Sequence, residues 1–429
     1  MSERKKLWSG DVPETWKVAP LKHCIAFRSD SLSEGTNPDY WFRYVDIGSV
    51  TACSGVTGYA EMAFRDAPSR ARKRVRRGDT IVSTVRTYLK AIARIEDDED
   101  VIVSTGFAVL EPCEFDSLYL TFLICSDLVC EEIERRSWGI AYPAISETSM
   151  SSIIVPIPPL FEQQLIADHL RRACAKLDSA CSVLERQLQT LDDYRKSLIQ
   201  ETVTKGLDLT VDMKPSGYEY LGSIPSTWGM SPLLYLGEMQ NGISKDGDSF
   251  GSGYPFVSYG DVYRNVFLPR AVEGLVESNS EERYRYSVKK NDAFFTRTSE
   301  TIDEIGFASV CLESIENATF AGFLIRFRPN TCKLNMRFAA YYFRSENLRA
   351  YFAREMVSVT RASLSQNLLG RLVVPLPPLD EQERIANYLD SKYSVVDRLI
   401  AGKRKQLETL RAQRQSLIYE YVTGKRRVV

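Results

Sequence analysis

The 429-residue chain is short of the groups that catalysis most often uses. It holds two histidines, His23 and His169. Neither stands in a spacing that suggests a triad, so both read as structural. There is no G-x-x-x-x-G-K-[ST] stretch, which leaves nucleotide hydrolysis by a P-loop unsupported. No strand runs into a glycine-rich cofactor loop and helix; Gly251-Ser-Gly253 reads as a flexible turn. The nine cysteines show no CxxC or CxxH spacing, a usage that fits reduced thiols in a cytoplasm and not a disulfide framework or zinc site. Cys174 and Cys181, seven apart, fall on one helix face as small core residues. No apolar run reaches the ~18 residues of a spanning helix. Met1 to Trp8 has no apolar segment behind its charges, so no secretory signal is expected. Cationic excess is missing too: 55 Lys and Arg stand against 56 Asp and Glu, a net charge of −1, so a polyanion can be met only by local clusters. Asn37-Pro-Asp-Tyr40 approaches the Asn-Pro-Pro-Tyr motif with which amino-methyltransferases hold a flipped base. Asp39 replaces the second proline, and no cofactor-binding half accompanies it. The reading is of binding surfaces on a scaffold, without an active site.

What the chain does have is a long repeat. Val155-Pro-Ile-Pro-Pro-Leu-Phe-Glu-Gln163 and the run to Thr204 return 219 positions later as Val374-Pro-Leu-Pro-Pro-Leu-Asp-Glu-Gln382 and the run to Thr423, with 22 identities in 50 ungapped positions. A long unit occurring twice is not a solenoid. Upstream only landmarks recur. Gly10-Asp-Val-Pro-Glu-Thr-Trp16 returns as Gly222-Ser-Ile-Pro-Ser-Thr-Trp228, and Val45–Val50 as Val257–Val262. Val75-Arg-Arg-Gly-Asp79 returns as Val288-Lys-Lys-Asn-Asp292, and Gly106-Phe107 as Gly322-Phe323. The segment Gly206 to Trp228 also resembles Thr423-Gly-Lys425 continued into Leu7 to Trp16. The order is globular, helical, globular, helical: residues 1–155, 156–206, 207–374 and 375–429. The scaffold is duplicated, and the surfaces it presents have diverged.

In the helical runs apolar residues recur at sevens. Leu170, Leu177, Leu184, Leu191 and Leu198 form one register; Leu389, Val396, Leu410 and Leu417 form the same register in the second copy, where Lys403 breaks it. Sustained sevens predict coiled-coil packing, with rods of roughly 60 Å for about forty residues. Two rods packed antiparallel are expected, because each has one apolar stripe; two separate helical hairpins are the alternative. Pro-x-Pro-Pro stops the preceding strand and opens each helix. Asp380 with Glu383 predicts a capping box for the second helix, which Phe161 denies the first.

The remaining segments read as α+β units. Strands are expected at 81–85, 102–105, 293–297 and 323–327, and short helices at 118–136 and 336–355. One dense cation cluster, Arg70, Arg72, Lys73, Arg74, Arg76 and Arg77, has a thinner counterpart in Arg283, Arg285, Lys289 and Lys290, interleaved with Tyr284 and Tyr286. Recurrence at matching places favours phosphate binding over a merely solvated face. Arg86, Tyr88, Arg297 and Arg361 are candidates for base edges, since arginine suits bidentate contact with guanine.

With its two Pro-x-Pro-Pro-Leu-x-Glu-Gln junctions (Pro156 to Gln163, Pro375 to Gln382), its two Ser-Leu-Ile-x-Glu helix ends and its two Pro-x-Thr-Trp openings, the chain resembles the specificity subunit of a type I restriction-modification system over essentially its whole length. The resemblance implies an α+β fold of two target-recognition domains alternating with two long helices packed as a pseudo-twofold antiparallel coiled coil. It implies a non-catalytic, cytoplasmic, prokaryotic subunit that binds double-stranded DNA at a bipartite site and assembles with two modification and two restriction subunits. No cofactor is expected on this chain; S-adenosylmethionine, ATP and Mg are expected on the partners. Docking and spacing fall to Pro159, Glu162, Gln163, Pro378, Glu381, Gln382 and the leucine-rich register. A coiled-coil adaptor binding only proteins, or a self-sufficient methyltransferase or nuclease, are the competing readings.

Overall fold

The computed structural model describes residues 12–53, 55–97, 100–298, 304–355 and 363–428. Gly10 and Asp11 of the first landmark, and Arg361, lie outside them. The chain forms two compact units: Met1–Glu185 with Arg404–Val429, and Arg186–Lys403.

The first unit holds two four-stranded sheets. In one, Ala60–Ala63, Trp41–Val45, Val101–Ser104 and Ala71–Arg74 lie in that order, with Val101–Ser104 parallel to Trp41–Val45. In the other, Ile25–Phe27, Phe107–Pro112, Thr80–Ser83 and Ile92–Arg94 lie in that order, all antiparallel. The central strands carry near-continuous apolar runs because both faces are covered; Thr80–Ser83 and Val101–Ser104 are wholly buried. Lys17–Pro20 pairs with Ile154–Ile157 just before the first long helix.

The second unit repeats this plan. Gly237–Asn241, Leu324–Pro329, Ala293–Thr296 and Ala308–Val310 form the same antiparallel sheet in the same order. Leu275–Val276, Phe250–Val257 and Thr319–Phe320 repeat the mixed sheet, parallel pair included. The fourth strand of that sheet, Ala71–Arg74, has no counterpart among the described residues; a short helix, Ser280–Arg285, occupies that stretch of sequence. Arg72, Lys73 and Arg74 therefore ride on a strand and Arg283 and Arg285 on a helix, although the two cation runs looked equivalent.

Each expected single helix is two. Ser117–Cys125 and Asp127–Arg136 are split by Ser126, and Met336–Tyr342 and Glu346–Glu355 are separated at Ser345. Both serines are fully buried. Ser126 has extended backbone (ψ 145°) and donates its hydroxyl to Leu123 O at 2.6 Å, the local competition by which serine interrupts helices.

The long helices are continuous, Leu160–Lys205 (46 residues) and Leu379–Val422 (44 residues), which excludes two hairpins. In the first unit, Arg411 and Arg414 reach Glu185 and Asp178, and the Tyr421 ring lies 4.6 Å from that of His169. As one helix ascends the other descends, so they are antiparallel. In the second unit Lys403 Nζ donates to Gln187 Oε1 at 2.7 Å, and Arg195 meets Asp397 at 3.2 Å, in the same sense. Leu170, Leu389 and Val396 of the predicted register are buried, and Leu177, Leu184, Leu191, Leu198, Leu410 and Leu417 half-buried. Lys403 is accommodated by its amide partner.

The second helix begins at Leu379, one residue before the expected cap, with Pro378 O accepting from the N–H groups of Glu381 and Gln382. Asp380 thus lies inside the first turn, 3.6 Å from Arg384, and no capping box forms on it. Asn37-Pro-Asp-Tyr40 is a turn closed by Asp39 N–H on Asn37 Oδ1 at 2.9 Å.

Candidate nucleic-acid interface

The Val-x-x-x-Asp landmark is a turn pinned by a buried carboxylate. Asp79 accepts from the Arg76 N–H at 2.8 Å and from Arg28 Nε and Nη2 at 2.8 and 3.2 Å. Asp292 accepts from the Lys289 N–H at 2.7 Å and from Arg328 Nε and Nη2 at 2.6 and 2.7 Å. Such two-pronged, charge-assisted contacts are the strong kind, and they push both guanidinium groups above their ordinary range. The left-handed position is Gly78 (φ +92°) in one turn and Asn291 (φ +72°) in the other, the residue types that tolerate it. The arginines come from different places in the sheet, Arg28 just after Ile25–Phe27 and Arg328 within Leu324–Pro329. Arg28 stands against Glu111 at 3.1 Å in the first unit; in the second, Gln240 accepts from Arg326 at 2.5 Å and Arg328 clasps the aspartate. The turns hold Arg76, Arg77, Lys289 and Lys290 exposed.

The strand after each turn ends in a second shared feature. In the first unit Thr84 N–H donates to Gly106 O at 2.8 Å, Thr105 N–H to Arg70 O at 2.8 Å, and Ile145 N–H to Thr84 O at 2.9 Å. In the second, Arg297 N–H donates to Phe323 O at 2.9 Å and Leu364 N–H to Arg297 O at 2.8 Å. One backbone rim is thus built twice, with Thr84 matched by Arg297 and Gly106 by Phe323. This corrects the Gly106-Phe107 landmark by one residue. Leu324, not Phe323, pairs as Phe107 does, and a one-residue slip reverses a strand's faces. Phe107 is fully buried and Phe323 is 64 % exposed.

The structure accordingly splits the dense cluster. Arg70 lies on the rim, while Arg76 and Arg77 sit at the other end of the sheet, some four residues or roughly 13 Å of strand away. Between them, Lys73 donates to Phe107 O at 2.9 Å and to Glu147 at 2.8 Å. Arg72 covers the Phe64 ring at 4.9 Å, and Arg74 the Tyr40 ring at 5.5 Å. Arg86, left-handed at φ 51°, lies over the Tyr142 ring at 4.9 Å beside the exposed Tyr88. In the second unit Arg283 stacks on Tyr254 at 3.8 Å and Arg285 on Tyr286 at 5.6 Å. The Arg297 Nε is buried without a hydrogen-bond partner.

The junction residues are held inside the chain. The Trp16 indole donates to Glu162 at 3.0 Å and the Trp228 indole to Glu381 at 3.1 Å. Gly424 and Gly206, which follow the long helices with φ of +75° and +77°, back onto Trp16 and Trp228 respectively. Each tryptophan thereby ties the end of one helix to the start of the other. Gln163 accepts from the Asp116 N–H at 2.7 Å and donates to Pro158 O at 2.9 Å; Gln382 accepts from the Asn335 N–H at 2.8 Å and donates to Pro377 O at 2.8 Å. Pro159 and Pro378 are exposed at the helix starts. Sequence reasoning missed Asp178, Arg195, Asp397 and Arg414, which cross-link the two helices. The signal was present: both aspartates and both arginines are identical across the 219-residue repeat.

Two copies of one sheet pair, each leading through a proline junction into a shared helix pair, and each presenting one rim with different side chains, define a duplicated recognition scaffold. Residues 65–187 and 225–409 match the family described as the type I restriction modification DNA specificity domain. The chain belongs to that family. It is 22% identical over 454 aligned positions to the putative type I restriction enzyme MjaX specificity subunit of Methanocaldococcus jannaschii, covering 99% of this chain and 96% of that one. It is 23% identical to the MjaVIII specificity subunit of the same organism over 73% of this chain and 71% of that one. A chain solved in work on complex assembly and conformational transition of the type I R-M system shares its fold, with a TM-score of 0.68 and 22% identity over 97% of this chain and 100% of that one. Among the described residues no helix is long and apolar enough to cross a membrane.

Proposed function

We propose that the chain is the non-catalytic DNA-specificity subunit of a type I restriction-modification complex, reading a bipartite site with one half per globular unit. The observation that carries this reading is the rim built twice on one backbone plan, Thr84–Gly106–Ile145 and Arg297–Phe323–Leu364, with the side chains exchanged. A duplicated frame with divergent side chains suits two different words read by one molecule. Arginine at the rim supplies the bidentate donor that guanine edges accept, and the exposed cations at the Asp79 and Asp292 turns supply phosphate contacts that position without specifying. Two readers joined by helices of fixed length engage half-sites of one separation, and covalent linkage makes the second engagement intramolecular. In this reading S-adenosylmethionine, ATP and Mg are bound by modification and restriction subunits that dock on the helix pair and its junctions.

Single-molecule methylation sequencing of cells expressing this chain with its modification subunit tests the proposal. A two-part adenine-methylated motif with a fixed gap, lost when the chain is deleted, is expected. A continuous motif, or methylation independent of the chain, contradicts it.

A further inference from the structure

Beside the first unit's rim stands a small hairpin with no role yet assigned. Trp138 and Ala144 exchange both backbone hydrogen bonds, at 3.0 and 2.9 Å. Ala144 is bridged to Val85, and the Thr87 and Ser137 hydroxyls are 2.9 Å apart. Gly139 (φ +105°) turns so tightly that a Cβ there would come within 3.1 Å of Tyr142 O. The hairpin is therefore fixed to the end of the buried strand Thr80–Ser83. What it holds out is apolar: Trp138 is 74 % exposed, Tyr142 64 %, and Ile140 is fully exposed. Neither 84–90 nor 137–144 contains an acidic residue, in a chain with 56 of them. The Arg86 guanidinium carbon lies 4.9 Å from the centre of the Tyr142 ring.

We infer that this hairpin is a wedge for double-stranded DNA: Ile140 enters between stacked base pairs with Trp138 beside it, and Arg86, steadied on Tyr142, meets the adjoining phosphate. The inference rests on the reading of the first unit as a DNA reader and adds to it a local unstacking of the duplex. Three features favour DNA over a protein partner. A specific protein interface buries about 800 Å² on each side, whereas a wedge needs one projecting side chain, and Ile140 is the fully exposed residue at the tip. Apolar side chains that kink DNA work in this way, flanked by cations. The β-branched Ile140 is stiff about χ1, so little side-chain freedom is lost on insertion. The stretch that would correspond in the second unit falls outside the described residues.

The test uses the chain assembled with its modification subunit and duplexes carrying its methylated motif, with the fluorescent base aminopurine placed in turn at each step of each half-site except the methylated adenine. Binding is expected to raise fluorescence at one step in or beside a single half-site. Ile140→Ser should abolish the rise and weaken binding on the order of tenfold, the scale of removing one side chain that stacks on a base, while Ile140→Leu preserves both. A rise that survives Ile140→Ser, or no rise at any step, overturns the wedge. So does Ile140→Ser impairing assembly with the modification subunit in the absence of DNA, which would make the hairpin a protein contact. Methylation sequencing of cells expressing the same complex separates the two levels. If it finds a two-part motif that depends on this chain while the fluorescence result is negative, only the wedge falls. If the motif is continuous or forms without this chain, the reading on which the wedge rests falls with it.

Discussion

Arg414 stands 2.9 Å from Asp178 across the helix pair, and 219 positions away in each chain segment the same two residue types meet as Arg195 and Asp397 at 3.2 Å. The pairs are not equal in strength. The Arg414 side chain is 13 % exposed, and its Nη2 also donates to Cys53 O at 3.0 Å. Its Nε–H is not aimed at Asp178, so the pair is held by charge proximity. Arg195 and Asp397 are 35 % and 57 % exposed. Asp178 is itself 47 % exposed, so solvent screens the ion pair, and the loss of Arg414 with its bond to the Cys53 carbonyl costs about 1.5–3 kcal/mol, whereas an exposed pair contributes under about 1 kcal/mol. Arg414→Ala is therefore expected to lower the unfolding temperature of the assembled complex by several degrees and Arg195→Ala hardly at all. Equal losses in calorimetry would show that exposure does not govern these pairs.

Gln163 and Gln382 satisfy buried backbone groups from both directions, accepting an N–H and donating to carbonyls. Leaving those groups unmatched costs roughly 2–3 kcal/mol per site. Gln163→Ala should destabilise the first unit by that amount. Gln163→Glu should be at least as damaging despite identical size, because it sets a carboxylate oxygen against Pro158 O. Chemical denaturation followed by tryptophan fluorescence would decide; a tolerated Gln163→Glu would mean that this hydrogen bond is not what fixes the residue.

The duplication, the two long helices and the α+β character of the units are legible in the sequence because each is carried by periodicity or by identity at a fixed spacing. The Asp–Arg cross-links come from two identities in that repeat, Asp178 with Asp397 and Arg195 with Arg414, yet charged residues beside an apolar stripe look like solvent-facing ones. Whether a charge points at the partner helix depends on packing. The strand Ala71–Arg74 was hidden by its four-residue length and cationic composition. Its side chains divide between a carboxylate, two aromatic rings and a carbonyl that come from distant sequence. The exchange of Arg28 with Glu111 for Gln240 with Arg328 is likewise invisible without strand pairing, since Ala26 faces Glu111 and Glu238 faces Arg328 only in the folded sheet. The one-residue error at Phe323 arose because a Gly-Phe pair is a weak marker in a region where insertions shift the spacing.

The cysteines offer a check on burial that needs no partner. Burial pushes the thiols of Cys24 and Cys174 up to about 11 and that of Cys311 to about 12. The thiolate is the nucleophile, and a raised value keeps these groups protonated throughout the neutral range. Cys113 and Cys332 are exposed. Iodoacetamide at pH 7.5 should label Cys113 and Cys332 within minutes and leave Cys24, Cys174 and Cys311 unmodified until denaturant is added. Raising the pH to 9 should not expose the buried three. Peptide mapping that found Cys311 labelled in the native protein would contradict the packing of the second unit's core.

The rim and the Asp-capped turns make opposite predictions for DNA binding, base edges for Arg297 and phosphates for Arg76 and Arg77. Arg297 stands where the first unit has Thr84, so a base contact made there is private to one half-site. Arg297→Ala should relax or change one half of the methylated motif, with a loss of about 1–3 kcal/mol of discrimination at the affected position, and leave the other half intact. Arg76→Ala with Arg77→Ala alters exposed cations at the far end of the first unit's sheet. It should leave both halves of the motif unchanged and weaken binding to all sequences alike, reducing the slope of log affinity against log salt by about 1 for each phosphate no longer neutralised. Methylation sequencing reads the first outcome and a salt titration of binding the second. A motif altered by the Arg76 and Arg77 substitutions would move the reading surface to the opposite end of the sheet. A motif untouched by Arg297→Ala, with a diminished salt slope instead, would reduce the rim arginine to a phosphate clamp.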